Sequence, residues 1–501
     1  MIFSKKDFGG SFTVAYKDEP RALNPLIETT STGSTLCQVI FDGLITLTPS
    51  GKISPRIASK WKVSGDNLKW TFYLRKDVKF HDGEKLTSED VYFTYHSILN
   101  SSPFYSSKDL FRNVKEIKKL DKYSVQFILS KPDTNFLLNL YIIGVLPKHI
   151  LKNNAFTNDK FNKKPIGTGP FQVKTWKKNK SIALVSNKKY FRGRPYIDKI
   201  NLIKANDMLK MWSMLQRGDI DAVYNDIMPN AFDNLKSSKN LVTYRIPDYM
   251  NYVLIFNFRK KEFQDRRMRY AINAAIDRNK IIERALSGNG IESSGVFRPG
   301  AAKISKKNTY DPEKSAQLLK ELGYSDKNGD GILEKNNYKL SFTVLYDTGN
   351  ALKKNVLMEM KYQLLNVGIE IICKEVTIPQ IISRGKSGDF EMILFNYNHL
   401  LDIPILVWHS NGIKAGLNIS NYKNQRVDRY FEQLVIEKNR QKKEALMSKI
   451  HKETVKDVAG VFLFQKYNLV AVNKKFKGFK PDADKFFWEY VTEVYFPKKY
   501  Q

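Results

Sequence analysis

Chemistry by side chains would have to start from a small set of residues. The six histidines, His81, His96, His149, His399, His409 and His451, are scattered with no two standing four apart, so a zinc centre would need ligands from distant segments. Asp326, Asn328, Asp330 and Gly331 match positions 1, 3, 5 and 6 of a calcium loop. Position 12, however, is Asn337 where a bidentate glutamate is needed, and the stretch reads as a polar turn whose Asn and Asp side chains bond their own backbone. No GxSxG, HExxH, GxxxxGK[ST] or GxGxxG occurs, and Gly167-Thr168-Gly169-Pro170 has Gln172 where a third phosphate-loop glycine would stand. His399 with Asp402, three apart, is the one acid–base pair on offer. The expectation is a protein that is not an enzyme, with no catalytic residue, no metal and no cofactor.

The elements that must position these residues are mixed α/β. Alternating runs at Ser11–Tyr16, Trp70–Leu74 and Ser124–Leu129 predict strands, and Val461–Val472 reads as two more. Ser88 can cap a helix through Val91, Tyr95 and Ile98. Asp265 precedes Met268, Ala271, Ile272, Ala275 and Ile276 at helical spacing, and a further helix over Pro312–Leu322 stops at Gly323. A chain of 501 residues with 42% hydrophobic and 13% aromatic residues can bury several cores, so disorder and collagen-like structure are excluded. Cys37 and Cys373 lie far apart with no CxxC spacing, so neither a zinc site nor a disulfide framework is written there. No window approaches the roughly 20 apolar residues of a membrane helix, and Met1–Gly10 lacks an apolar signal core, so any secretory signal is expected outside this sequence.

The formal net charge of +32 points to anionic surroundings. A nucleic-acid or anionic-surface protein is therefore an alternative, but the basic residues are dispersed and no RRM, zinc finger or helix-turn-helix pattern accompanies them. Tyr422–Tyr430 could stack on bases, although aromatics at helical spacing are more often core.

Several segments, taken in order, decide the reading. Leu23-Asn24-Pro25, then Phe41-Asp42-Gly43-Leu44, then Val78-Lys79-Phe80-His81-Asp82-Gly83 continuing into Leu86-Thr87-Ser88-Glu89-Asp90-Val91, resemble the family 5 extracellular solute-binding proteins of ABC importers, the oligopeptide, dipeptide and nickel-binding type. Further matches are Gly167-Thr168-Gly169-Pro170-Phe171, Gly218-Asp219-Ile220-Asp221, Phe256-Asn257, Arg267–Ile272, Ala275–Arg278 and Asn473–Phe479. The similarity runs over about residues 11–490.

That resemblance implies an α/β, two-lobed periplasmic-binding-protein-like fold of type II (cluster C) with an interlobe ligand cleft. Residues 1–44 would begin lobe one, 45–166 form its inserted subdomain, and 167–255 complete its second segment. Lobe two would be 256–465, with 466–501 returning to lobe one. The implied function is capture of a peptide or similar small polar solute and delivery to an ABC transporter membrane permease, by a monomer that is periplasmic or extracytoplasmic, free or lipid-anchored, with no nucleic-acid partner. In peptide binders of the family the segment after the opening motif pairs with the ligand as an added strand, which falls on Thr29, Thr30 and Ser31. The tryptophan position of such proteins falls on Tyr397, followed by Asn398 and His399. The aspartate that holds the ligand's α-amino group falls on Leu400, with Asp402 two places on, and Arg384 stands near a carboxylate-binding position. Anchoring of a free amine is thereby weakened.

Overall fold

In the computed structural model, the described residues are 7–28, 30–47, 53–101, 107–133, 136–152, 154–224, 227, 229–297, 310–398, 404–414, 416–437, 439–479 and 491–497. The chain divides into two compact units: 1–246 with 469–501, and 247–468. It passes from the first to the second inside the strand Leu241–Phe256 and returns inside Gly460–Asn473, which is one continuous strand, not the two read from sequence. The burial of Gly460–Gln465 and of Leu469–Val472 explains the difference: few polar breaks mark where one half ends.

In unit 1 the strand Ser11–Tyr16 runs parallel to Lys199–Lys204 and, at Val14, to Ala222. Ser181–Ser186 is antiparallel to both Lys199–Lys204 and Phe171–Lys177. The returning tail pairs Val470–Val472 against Ala222–Tyr224. Phe12, Val14 and Tyr16 are buried at every second place, the period that packs one face of a strand. A separate four-stranded sheet runs Ala58–Val63, Lys69–Leu74, Ser124–Leu129, Val114–Asp121. Its inner face carries Phe72 and Phe127, ring centroids 5.8 Å apart, and meets Tyr95 of the helix Ser88–Leu99 and Phe136 of Phe136–Ile142. Thr87, not Ser88, caps the first of these helices in a reciprocal box with Asp90. The Ser88 hydroxyl instead donates to Asp121 O at 2.6 Å, tying helix to sheet.

Unit 2 has Ser341–Asp347 parallel to Glu370–Val376 and to Met392–Asn398, while residues 250–256 run antiparallel to 392–398. Alternation sends Leu254, Phe256, Val344, Met392 and Leu394 into one core, and Val253, Ile255, Leu345, Ile393 and Tyr397 into another on the opposite face. Helices Arg266–Ala274, Arg278–Leu286, Pro312–Glu321 and Ala351–Leu365 begin on Asp265, Asp277, Asp311 and Asn350, each accepting from the first turn. The Asp326 turn has the polar geometry expected: both its carboxylate oxygens accept backbone N–H groups, from Gly329 and Gly331. Cys37 and Cys373 are free thiols, one in each unit.

Candidate functional site

The opening motif builds a loop. Asn24 is fully buried, and its amide nitrogen donates to Ala155 O and Asn162 Oδ1 while its oxygen accepts from Leu26 N, a set an ionised aspartate could not complete. Four residues on, the Glu28 carboxylate accepts from Ala22 N (2.8 Å) and Thr30 N (2.5 Å) and lies over Gly33, where a Cβ would come within 2.3 Å of Glu28 Cδ. Thr30 is the N-cap of the helix Ser31–Ile40: its hydroxyl accepts from Gly33 N and its carbonyl from Ser34 N. Its amide, hydroxyl and carbonyl are all engaged inside unit 1. Ser31 is exposed and opens the helix, and Thr29 lies outside the described residues.

The next motifs form a single buried network. Asp42 accepts from Arg56 Nε, from Thr168 Oγ1 at 2.9 Å and from the Tyr190 hydroxyl at 2.8 Å. Burial, with the Asp42 carboxylate second, pushes the Tyr190 hydroxyl well above its usual value and keeps it a donor. His81 fastens the HDG turn to the glycine loop. Gly167 N donates to its Nδ1 (3.1 Å), so the proton resides on Nε2, which donates to Gly169 O (3.0 Å). Burial lowers the His81 pKa, favouring that neutral form. The loop must be glycine because it touches the helix end: a Cβ on Gly167 would be 2.0 Å from Ile40 O, and one on Gly169 2.3 Å from Val39 O. Neither Asp42 nor His81 is left to meet a ligand.

In unit 2 the motif arginines are also buried. Arg278 donates to Phe462 O (2.6 Å), Ile276 O (3.0 Å) and Asn273 Oδ1 (2.6 Å), and burial lowers its pKa to about 10. Arg269 donates to Phe263 O, Asp457 O and Val458 O. These bonds join helices to the strand Gly460–Asn473 and the turn before it.

Tyr397 is buried among the second core, its ring edge-on to Trp408 at 6.0 Å. Its hydroxyl donates to Val296 O (2.9 Å) and accepts from Asn251 Nδ2 (3.0 Å), and the same Nδ2 reaches Gly295 O. Asn398 ends the strand, its backbone opposite Met250. Arg384, in the helix Ile378–Ser387, is half-buried and 3.5 Å from Asp389. His399, Leu400 and Asp402 lie outside the described residues. The structure thus brings Tyr397 together with Asn251, Val296 and Trp408, partners that no spacing rule picks out. Arg56, Thr168 and Tyr190 were likewise unmarked as Asp42's partners; the one sequence signal was that Phe41–Leu44 and Gly167–Phe171 both match the family.

Residues 52–402 match the model of the bacterial extracellular solute-binding proteins, family 5. The oligopeptide-binding protein AppA of Bacillus subtilis is 30% identical over 495 residues, covering 95% of this chain and 90% of that protein. The dipeptide-binding protein of Escherichia coli is 29% identical over 341 residues, 62% of this chain and 63% of that one. Among solved structures, AppA of Bacillus subtilis in complex with a nonapeptide superposes with a TM-score of 0.78 at 27% identity, covering 99% of this chain and 100% of that one. NikA from Brucella suis shares the fold, with a TM-score of 0.85 at 21% identity, covering 97% and 100%. The fold is the two-lobed α/β fold of these binding proteins, and its signature residues are the ones seen here locking each unit internally. The chain belongs to the family 5 extracellular solute-binding proteins.

Proposed function

We propose that this solute-binding protein captures a peptide outside the cytoplasm and delivers it to the membrane permease of an ABC importer, acting as a monomer that is free or lipid-tethered. The observation that carries the reading is the similarity, over nearly the full length of both chains, to an oligopeptide-binding protein whose structure holds a nonapeptide. Thr29, Ser31, Asn398, His399, Asp402 and Arg384 are the candidate contacts, and Thr30, whose amide, hydroxyl and carbonyl are engaged within unit 1, would hold its segment in place. Tyr397, whose hydroxyl is engaged within unit 2, would support the strand end that carries Asn398.

Leu400 stands where peptide binders resembling this chain carry an amine-holding aspartate. A buried ammonium without a partner costs several kcal/mol, on the order of a thousandfold in affinity. Longer peptides, held along their main chain, are therefore the favoured ligands over dipeptides. Calorimetric titration with a nonapeptide, a dipeptide and the N-acetylated dipeptide tests this. The nonapeptide is expected to bind at least about a hundredfold tighter than the dipeptide, with acetylation changing little. Tight dipeptide binding that acetylation abolishes would show that another carboxylate, Asp402 first, anchors the amine, and no heat with any peptide would overturn the peptide reading.

A further inference from the structure

Unit 1 contains a concavity of about 570 Å³ between the HDG turn and one end of its large sheet. Its floor follows from register. Gln172, Val185 and Lys199 are directly opposite one another on three adjacent strands and so share a face, while Phe171, Leu184 and Ile200 are buried on the other. Lys188 and Lys189 follow the middle strand into a tight bend, Lys189 N donating to Asn187 Oδ1. Lys79 enters from the turn, which His81 holds against the glycine loop. Four lysines therefore line one pocket, and all four are exposed.

The two acids that line the same pocket are already engaged. Asp82 is 2.7 Å from His149 Nε2 and also accepts from Glu84 N; Asp198 is 2.6 Å from Arg194. Among the described residues no carboxylate lies within ion-pair distance of Lys79, Lys188, Lys189 or Lys199, and the Gln172 amide has no side-chain partner. Four like charges facing one cavity repel, and they are stabilised by a ligand carrying several negative charges on closely spaced oxygens. Lysine ammonium groups, compact and rotatable, suit phosphate oxygens as point charges. We propose that this pocket is a binding site for a multiply charged phosphate-bearing group, independent of the peptide reading.

The group could belong to a soluble phosphate compound or to an anionic lipid headgroup. The full chain titrated with inorganic pyrophosphate at an ionic strength of about 0.15 M should give saturable, one-site binding. K79Q/K199Q should weaken it by about tenfold or more, since each removes a charge-assisted hydrogen bond. K62Q/K69Q, which removes the same charge from the four-stranded sheet, should change it by less than about twofold, because beyond a Debye length of roughly 8 Å at physiological salt only local charges act. Equal loss in both variants, with unchanged melting temperatures, would reduce the effect to net charge and overturn the site, as would a failure of pyrophosphate to saturate. Cardiolipin vesicles, whose headgroup carries two phosphates, identify a headgroup ligand if they displace pyrophosphate where phosphatidylcholine vesicles do not; no displacement identifies a soluble one.

Discussion

In unit 1 the buried motif charge is an anion, Asp42, neutralised by the Arg56 guanidinium and closed by two hydroxyl donors. In unit 2 the buried motif charges are cations, Arg269 and Arg278, and their hydrogen bonds go mainly to main-chain carbonyls. The first is an ion pair whose members depend on one another. The second is a charge held by dipoles, tolerated because each carbonyl would otherwise be an unsatisfied acceptor in a dry interior. Unit 2 goes further with His451: it is buried, pressed against Gly295 so closely that a Cβ there would be 2.1 Å from Nδ1, and among the described residues neither ring nitrogen has a partner. The lesson is that one family's signature residues stabilise its two halves by different electrostatics, so the halves should respond differently to substitution and to pH.

The largest expected effect is at the ion pair. Asp42→Ala removes the buried carboxylate that neutralises Arg56 and should destabilise unit 1 by about 3–5 kcal/mol, read as a fall in the urea midpoint, whereas D42A/R56M should recover most of the loss because both charges of the pair are then gone. If the double variant is as unstable as the single, the pair is not an interdependent one and the comparison fails. Arg278→Lys keeps the charge but cannot reach three acceptors at fixed angles. It should cost about 3 kcal/mol through the carbonyls left without donors, and an R278K protein as stable as the parent would show that charge alone suffices there.

The smallest effect is the pH response of His451, whose pKa burial lowers to about 4 from an ordinary value of 6.5. The unfolded chain takes up this proton at higher pH than the folded one, so stability present above 6.5 is lost as pH falls towards 4. The loss should be about 2 kcal/mol between pH 7 and pH 5. Comparing urea midpoints of the parent and His451→Leu at both pH values isolates it, since carboxylates titrate alike in the two proteins; parallel pH slopes would show that His451 is not buried as an unpartnered neutral ring.

Much of this organisation is legible in the residues. Alternation at Ser11–Tyr16 and Ser124–Leu129, aspartates ahead of apolar periodic runs, and the ordered motifs from Leu23 to Phe479 carry fold class and family, because periodicity and caps are local properties of chain geometry. The motif Val78–Gly83 stands out in the sequence, yet its histidine proves to be a fastening between a turn and a glycine loop 86 residues later in the chain. Thr30 illustrates the same gap. Placed by position as a ligand-pairing residue, it has its hydroxyl on a helix N-terminus and its amide on Glu28.

What the amino-acid sequence determined by itself was therefore the list of elements, the absence of catalytic and metal-binding patterns, and membership of a family. Only the tertiary structure decided which polar groups complete one another: Asp42 with Arg56, Thr168 and Tyr190; Tyr397 with Asn251 and Val296; and four lysines around one pocket from segments 79, 188–189 and 199. The reason is that a hydrogen bond or an electrostatic field acts over a few ångströms in space, and those ångströms join residues separated by 14 to 148 positions of chain.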